Sequence, residues 1–562
     1  MRNRLFYFVV LAALVLAACG APSTPAPAGA TEVVPTLVPA TSAPTAAPAV
    51  LHVGWLGKPD TLNPAYAFLT ESYTIFDLIY SPLTTEAPEG NYVGALAKEW
   101  SVSDDGLTWT FTLKDGIKWH NGEDLKASQV AWAINAVMSN PDGWAALSGY
   151  IGGFKEVTAP DDKTVVVTTE YPIANMEYRM SFLYAVYPPD FEGFTGVEDL
   201  QNFTNFNAIG TGMFKLTTFD KDTGVLILDA NAEYFDGSPK ISQMIFQTFD
   251  NSDAMVQALK VGDIDLMSEV PASAFETVKG FEGVTAVAQD GRYFNELIIN
   301  SADPNNDPAP TGNPALADPI VREAIALSIN KQDIVDIVMQ GLASPGDSIV
   351  PPTLGGGFWH SPNIKDVQFN TEEAGRILEE AGYVLGSDGV RAKGDVRLEF
   401  RLQFPSDSSS APRTAEMMAG WFSQAGMKVT PEAVDPDSLT AATTPAGDYD
   451  LVLWGWGPDP DPDFILSVMT TDQFVDGGWS DSGYHNPEYD QLYLDQQKIV
   501  DKAERQKVVW KMQEMVYNDR PYIVLYYEKL LQAYRSDRFK GFIESPLGID
   551  IGLSIFNVEP VN

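Results

Sequence analysis

The chain has 562 residues, with 36 Lys and Arg against 76 Asp and Glu, for a formal net charge of −40. Such acidity excludes nucleic-acid backbones and anionic membrane surfaces as electrostatic partners. A globular body of roughly 510 residues is also more than one hydrophobic core serves, so two or three domains are expected. The one cysteine, Cys19, excludes an intrachain disulfide.

Arg2 and Arg4 precede an apolar run from Leu5 to Ala18. The run falls short of the about 20 residues that span a bilayer and has the flanks of a signal peptide. Leu16-Ala17-Ala18-Cys19-Gly20 resembles a bacterial lipobox, in which cleavage leaves a lipid-modified Cys19. Residues 1–18 are therefore expected to be a signal peptide, and 19–50 a lipid-anchored linker in which seven prolines interleave with Ala and Thr. The expected location is extracytoplasmic, in the periplasm or on the outer cell surface. Loss of the two arginines takes the charge to −42.

Beyond the linker, Leu51 to Leu56 alternates like a strand, and Glu71 to Tyr80 carries Ile75, Leu78 and Ile79 at helical spacing. Leu107 to Leu113 alternates strictly. Ser128 is positioned to cap a helix with Val130, Ile134, Val137 and Met138 on one face. Asn330 and Asn370 cap further helices, the latter with Glu373 three residues on and Gly382 as the stop. Val396 to Gln403, Asp450 to Trp456 and Tyr522 to Tyr527 read as strands, Ala415 to Ala425 as a helix and Tyr489 to Tyr517 as one long helix. The alternation of strands and helices predicts an α/β architecture.

Several blocks, in order along the chain, resemble one family. They are Thr61-Leu62-Asn63-Pro64, the stretch from Gly94 to Gly122, Gly210-Thr211-Gly212-Met213-Phe214, Ala258 to Asp265, Val321 to Ile325 and Glu380 to Tyr383. Together they are similar to the extracellular solute-binding proteins of family 5, the oligopeptide, dipeptide and nickel type that serves ABC importers. The resemblance implies a two-lobed, periplasmic-binding-protein-like type II fold with an additional subdomain in the first lobe. Lobe I would comprise 51–80, 206–300 and 533–562, the subdomain 81–205, and lobe II 301–532, with crossovers near 300 and 533 as the hinge. It implies a peptide held between the lobes, a membrane permease as partner and no cofactor.

The strongest local pattern is Trp454-Gly455-Trp456-Gly457-Pro458-Asp459, continued as Pro460-Asp461-Pro462-Asp463. In peptide-binding relatives an aspartate a few residues after a Gly-Trp pair holds the ligand's α-ammonium group; Asp459 matches that position and Trp456 the aromatic beside it. Charge-assisted hydrogen bonds in a water-poor cleft are strong ones. Calcium is a weaker reading of the alternating aspartates, since the loop glycine is missing and Thr470 stands where a bidentate glutamate belongs. By the same resemblance, Phe68, Leu69 and Thr70 fall where an exposed backbone edge would pair with a peptide, and Tyr293 and Asn295 fall near the hinge. No basic residue occupies Leu451 to Leu453 or Phe404 to Pro412, and Arg413 suits a solvated helical turn, so a short peptide fixed at both ends is not favoured. Longer peptides fit, and so do oligosaccharides, with Trp359, Trp454, Trp456 and Trp479 as stacking faces. A hydrolase is a third reading: Gly346-Asp347-Ser348 resembles an esterase opening, but no D-x-x-H follows, and His52, His120, His360 and His485 form no metal spacing.

Overall fold

The computed structural model describes residues 49–194, 196–302 and 310–561. The expected signal peptide, Cys19 and nearly all of the linker lie outside them. Among the described residues no helix is long and apolar enough to cross a membrane.

The body is built on one eleven-stranded mixed sheet. Two long antiparallel strands, Val284–Ile299 and Tyr522–Arg535, run side by side through its middle. Their first stretch, Val284 to Asp290 against Lys529 to Arg535, joins Leu266–Met267, Val50–Trp55, Gln243–Thr248, Leu226–Ala230 and Phe214–Phe219. Their second, Phe294 to Ile298 against Tyr522 to Tyr527, joins Leu451–Trp456, Glu399–Pro405 and Lys428–Val434. Between these stretches the register shifts at Asp290/Phe294 and again at Asn295/Glu296. The irregularity comes before the expected positions 300 and 533. Such a break frees the backbone from the ladder and bends the strand.

Each half has its own core, as the size of the body requires. Leu51, Val53, Phe76, Phe214 and Phe246 fill the first. The second is packed on both sheet faces: Leu451 and Leu453 point to Phe400, Met418 and Phe422, while Val452 points to Ile298, Ile465 and Val509. Period-two alternation explains how one strand serves both.

A third core lies within 81–205, under a four-stranded antiparallel sheet ordered Ala97–Val102, Thr108–Leu113, Thr164–Thr169, Phe154–Thr158. Trp109, Phe111 and Leu113 point inward and the intervening threonines outward. Val130, Ile134 and Val137 of the helix Ala127–Ser139 cover it. That helix begins before the expected cap at Ser128: the Lys126 N–H donates to Gln129 Oε1 at 3.0 Å, an oxygen that also accepts from Trp119 Nε1 at 3.0 Å. Two of the recurring sequence blocks meet through His120, whose Nε2 lies 3.1 Å from Gly212 O and whose Nδ1 accepts from the Gly210 N–H at 3.2 Å. Burial pushes its pKa down to about 4, so the ring is neutral. The expected long helix from Tyr489 to Tyr517 is two, Pro487–Gln496 and Lys502–Asp519, because Asp501 caps the second through the Ala503 and Glu504 N–H groups.

This third unit packs on the second half of the molecule. The Ala174 N–H donates to Gln497 O at 2.9 Å. Gly90, at φ +84, approaches so closely that a Cβ there would stand 2.2 Å from the Gly356 nitrogen. Only glycine fits both the conformation and the contact.

Candidate functional site

Asp459 follows the strand Leu451–Trp456, which lies in register with the strand Val284–Ile299 so that Trp456 faces Phe294, Gly455 faces Asn295 and Trp454 faces Glu296. The loop then crosses toward the 81–205 unit. Asp459 Oδ2 accepts from the Tyr178 hydroxyl at 2.6 Å, a contact between residues 281 apart in sequence. Burial, with Asp461 and Asp463 adding repulsion, pushes the Asp459 carboxyl above the usual range, and no cation pairs with it among the described residues.

Its neighbours in the repeat do different work. Asp461 is 4% exposed and takes both nitrogens of Arg505, itself 2% exposed, at 2.6 Å each. Asp463 accepts from Gln496 and Gln497 at the start of a short helix. Asp461 is therefore committed to Arg505 rather than turned outward as an ion ligand.

Tryptophan placement sorts the expected stacking faces. Trp456 meets Phe464 at 5.9 Å and Trp479 at 6.5 Å between ring centroids, both edge-on, and its Nε1 donates to the Tyr522 hydroxyl at 3.2 Å. Trp479 is 52% exposed and offers a free face. Trp454 is half-buried opposite Glu296. Trp359 is buried beneath the Arg505 guanidinium, 5.0 Å from its ring, and belongs to the core.

Tyr293 and Asn295 lie on the other face of that strand pair. The Tyr293 ring covers Gly455, where a Cβ would come 2.5 Å from its hydroxyl, so the glycine of Trp-Gly-Trp makes room for Tyr293. Asn295 Nδ2 donates to Glu528 at 2.6 Å. Both line a cavity of about 230 Å³ with Asp407, Ser408, Ser410 and Tyr526. Arg413 stands outside it, exposed and paired with Glu416.

Phe68, Leu69 and Thr70 do not form a strand. Leu69 is extended and precedes a helix that begins at Thr70, and the Phe68 N–H is taken by Asp60 at 3.0 Å. Phe68 and Leu69 are exposed, and all three line a cavity of about 650 Å³ faced from across the sheet break by Met339, Leu342 and Glu528. The sequence-expected residues therefore fall in three groups: Asp459, Trp456 and Trp479; Tyr293, Asn295 and Trp454; and Phe68 to Thr70.

Other residues around these groups escaped the sequence reading. Tyr178 sits in an unremarkable short helix, Met176–Phe182. Arg292 makes a two-pronged ion pair with Glu86 that joins the central strands to the 81–205 unit, both side chains nearly buried. Glu296 is fully buried with neither carboxylate oxygen partnered, and burial, then Asp481, pushes its pKa well up. Asp481, hydrogen-bonded by Tyr522, rises to about 7, again chiefly through burial. No local pattern marked any of these.

The esterase-like serine is not set up for catalysis. Ser348 is buried and its hydroxyl donates to Gln513 Oε1 at 2.9 Å. The His360 nitrogens face Val350 O at 2.8 Å and Asp347 at 3.6 Å, so no base addresses the serine.

A family model described as bacterial extracellular solute-binding proteins, family 5 middle, matches residues 91–476. The oligopeptide-binding protein AppA of Bacillus subtilis (strain 168) is 25% identical over 484 residues, covering 85% of this chain and 86% of that protein. The nickel-binding periplasmic protein of Escherichia coli (strain K12) is 26% identical over 407 residues, covering 68% and 71%. The structure of AppA from Bacillus subtilis in complex with a nonapeptide superimposes with a TM-score of 0.68 at 22% identity, over 92% of this chain and 100% of that one, which shows a shared two-lobed type II fold. The chain belongs to the bacterial extracellular solute-binding proteins of family 5.

Proposed function

We propose that this protein is the peptide-capturing component of an ABC importer, held at the bacterial surface by a lipid on Cys19 and delivering its ligand to a membrane permease. The observation that carries the reading is Asp459: a desolvated carboxylate facing the 81–205 unit, held by one neutral donor, Tyr178, and paired with no cation among the described residues. The α-ammonium group of a peptide supplies that missing charge and orients the chain by its N-terminus. Trp456 and Trp479 wall the site beside it, and Tyr293, Asn295 and the Phe68–Thr70 segment face the ligand farther along.

In this reading lobe I comprises 51–80, 206–300 and 533–562, lobe II 301–532, and the 81–205 unit rides on lobe I. Ligand that touches both sides favours the closed arrangement by the free energy of those added contacts. Tyr178–Asp459 is a closed-state contact, Glu86–Arg292 ties the 81–205 unit to the central strands of lobe I, and the irregular segment Asp290 to Phe294 is the bend. The engagement of Ser348 and His360 elsewhere supports binding without turnover.

Isothermal titration with a pool of defined oligopeptides, beside mass spectrometry of whatever co-purifies with the body, tests the proposal. Asp459→Asn is expected to weaken peptide binding by about 1.5–3 kcal/mol, the cost of one charged hydrogen bond. Unchanged affinity would remove the ammonium clamp; a co-purifying hexose series would move the ligand to oligosaccharides stacked on Trp479.

A further inference from the structure

A third cavity, of about 500 Å³, lies on the first-lobe side. It runs from the helix Thr70–Ile79 to the turn before Gly552 and reaches Pro460, next to Asp459. It shares Thr70, Thr74, Ser268, Leu530 and Asp550 with the 650 Å³ cavity, so the two are continuous. Its size falls in the range of about 300–1,000 Å³ typical of small-ligand sites.

Its lining is one-sided in charge. Asp77, Glu86, Asp236 and Asp550 line it, and no lysine or arginine does. Two of these four are already neutralised, Glu86 by Arg292 and Asp236 by Lys114 at 2.7 Å. Asp77 and Asp550 have no ion-pair partner among the described residues. Asp77 accepts only the Tyr184 hydroxyl, at 3.0 Å, and Asp550 the Gln532 amide, at 2.7 Å. Their chain segments touch: a Cβ on Gly552 would stand 3.2 Å from Asp77 O.

A desolvated carboxylate without a countercharge is costly. Burial accordingly raises the Asp77 pKa to about 6 and moves Asp550 in the same direction. Asp77 keeps accessible surface, and that surface opens onto this cavity. The remaining walls are aromatic, with Tyr73, Tyr184, Tyr234 and Phe182 among them. Carboxylates among aromatic faces suit an organic cation, which gains charge-assisted hydrogen bonds from the first and cation–π attraction from the second.

We propose that this cavity is a subsite for a basic side chain of the bound peptide, whose ammonium or guanidinium group is held at Asp77 and against the tyrosine faces, with Asp550 adding negative charge to the same lining. The subsite rests on the peptide reading above and narrows it to peptides that carry a lysine- or arginine-like residue. It is separate from the Asp459 clamp, which takes the N-terminus of any peptide.

The test is titration of the full-length protein with a graded series of oligopeptides, short and long, identical except for lysine, norleucine or glutamate at one position, scanned through every position. At one position lysine is expected to bind about tenfold or more tighter than norleucine, with glutamate weakest. Asp77→Asn and Asp550→Asn should each reduce that preference to about twofold or less. Titration at pH 6 in two buffers of different ionisation enthalpy should also show proton release with the lysine peptide, lost in Asp77→Asn. Equal binding of lysine and norleucine peptides at every position overturns the subsite and leaves peptide capture standing. Binding of no peptide overturns both. The wild-type comparison decides even where a variant does not fold.

Discussion

Two settings show how differently one chain treats its carboxylates, one inside the core and one on the wall of a cavity. Asp461 lies beneath the second lobe with Arg505 clamped on both its oxygens, and Gln496 accepting from Arg505 Nε at 2.8 Å. Both Asp461 oxygens and all three Arg505 guanidinium nitrogens are engaged within the protein. Asp77 and Asp550 line a cavity and receive one neutral donor each. The first arrangement is complete and fixes architecture: it anchors the Asp459 loop to the helix Lys502–Asp519. The second is incomplete in the protein alone, and incompleteness of that kind marks a place where something else belongs. Acidic residues in a cleft are informative only after those already matched by the chain's own cations have been set aside.

Breaking the complete pair should have the largest effect. Asp461→Ala leaves the Arg505 guanidinium buried and unpaired, and removal of one partner of a buried pair costs about 3–5 kcal/mol. Urea unfolding followed by circular dichroism should show that loss, and Asp461→Ala with Arg505→Met together should recover much of it. A loss below about 1 kcal/mol would make the pair equivalent to a surface salt bridge and dissolve the contrast.

The next effect is a pH dependence from His120. Its folded pKa, about 4, lies below the ordinary value of 6.5. Between those values the unfolded chain binds the proton and the folded one does not, so stability is full above pH 6.5 and falls as pH drops toward 4. The contribution at stake is about 3 kcal/mol. Comparing wild type with His120→Gln from pH 7.5 to 4.5 isolates it: the variant should lack this part of the slope. Parallel curves would mean that the imidazole stays accessible to protons in the fold.

Much of this architecture was readable from local pattern. Thr108–Leu113 reads correctly because one face is buried and the other is not, so its alternation is strict. Asn370 reads as a cap because its side chain does accept from the Glu373 N–H, at 2.9 Å. The break between the two helices near 500 was also written locally, in Asp501 with Glu504 three residues on, but the unbroken polarity of the surrounding stretch hid it. Asp459 was reached through the family resemblance, by its place a few residues after the Gly-Trp pair. Tyr178, Arg292, Asp77 and Asp550 were not, since each gains its role from a chain segment far away in sequence. Partners brought together only by the tertiary fold leave no periodicity to detect.

A smaller effect is expected at Gly455. A Cβ would press on the Tyr293 ring, 2.7 Å from its nearest carbon, but that ring is 43% exposed and free to yield. Gly455→Ala should therefore cost only about 1 kcal/mol in unfolding experiments, at the low end for overpacking. It should reduce peptide affinity more than stability, because the displaced tyrosine moves into the cavity it shares with Asn295.

The subtlest test returns to the incomplete pair. The folded pKa of Asp77, about 6, lies above the ordinary 3.8. The folded state therefore holds a proton that the unfolded state has released throughout that window, and the charged form penalises folding most fully above pH 6. Asp77→Asn removes the charge and keeps the shape; because Asp77 is exposed, solvent screening leaves only a small part of the penalty, so the ligand-free variant should unfold at a slightly higher temperature than wild type at pH 7.5 and at nearly the same temperature at pH 4. Adding a lysine-containing peptide should reverse the order at pH 7.5, because the ligand then supplies the countercharge that wild type lacks. An Asp77 that stabilised the empty protein at pH 7.5 would already have its charge balanced from within, like Asp461, and the cavity would have no claim on a cation.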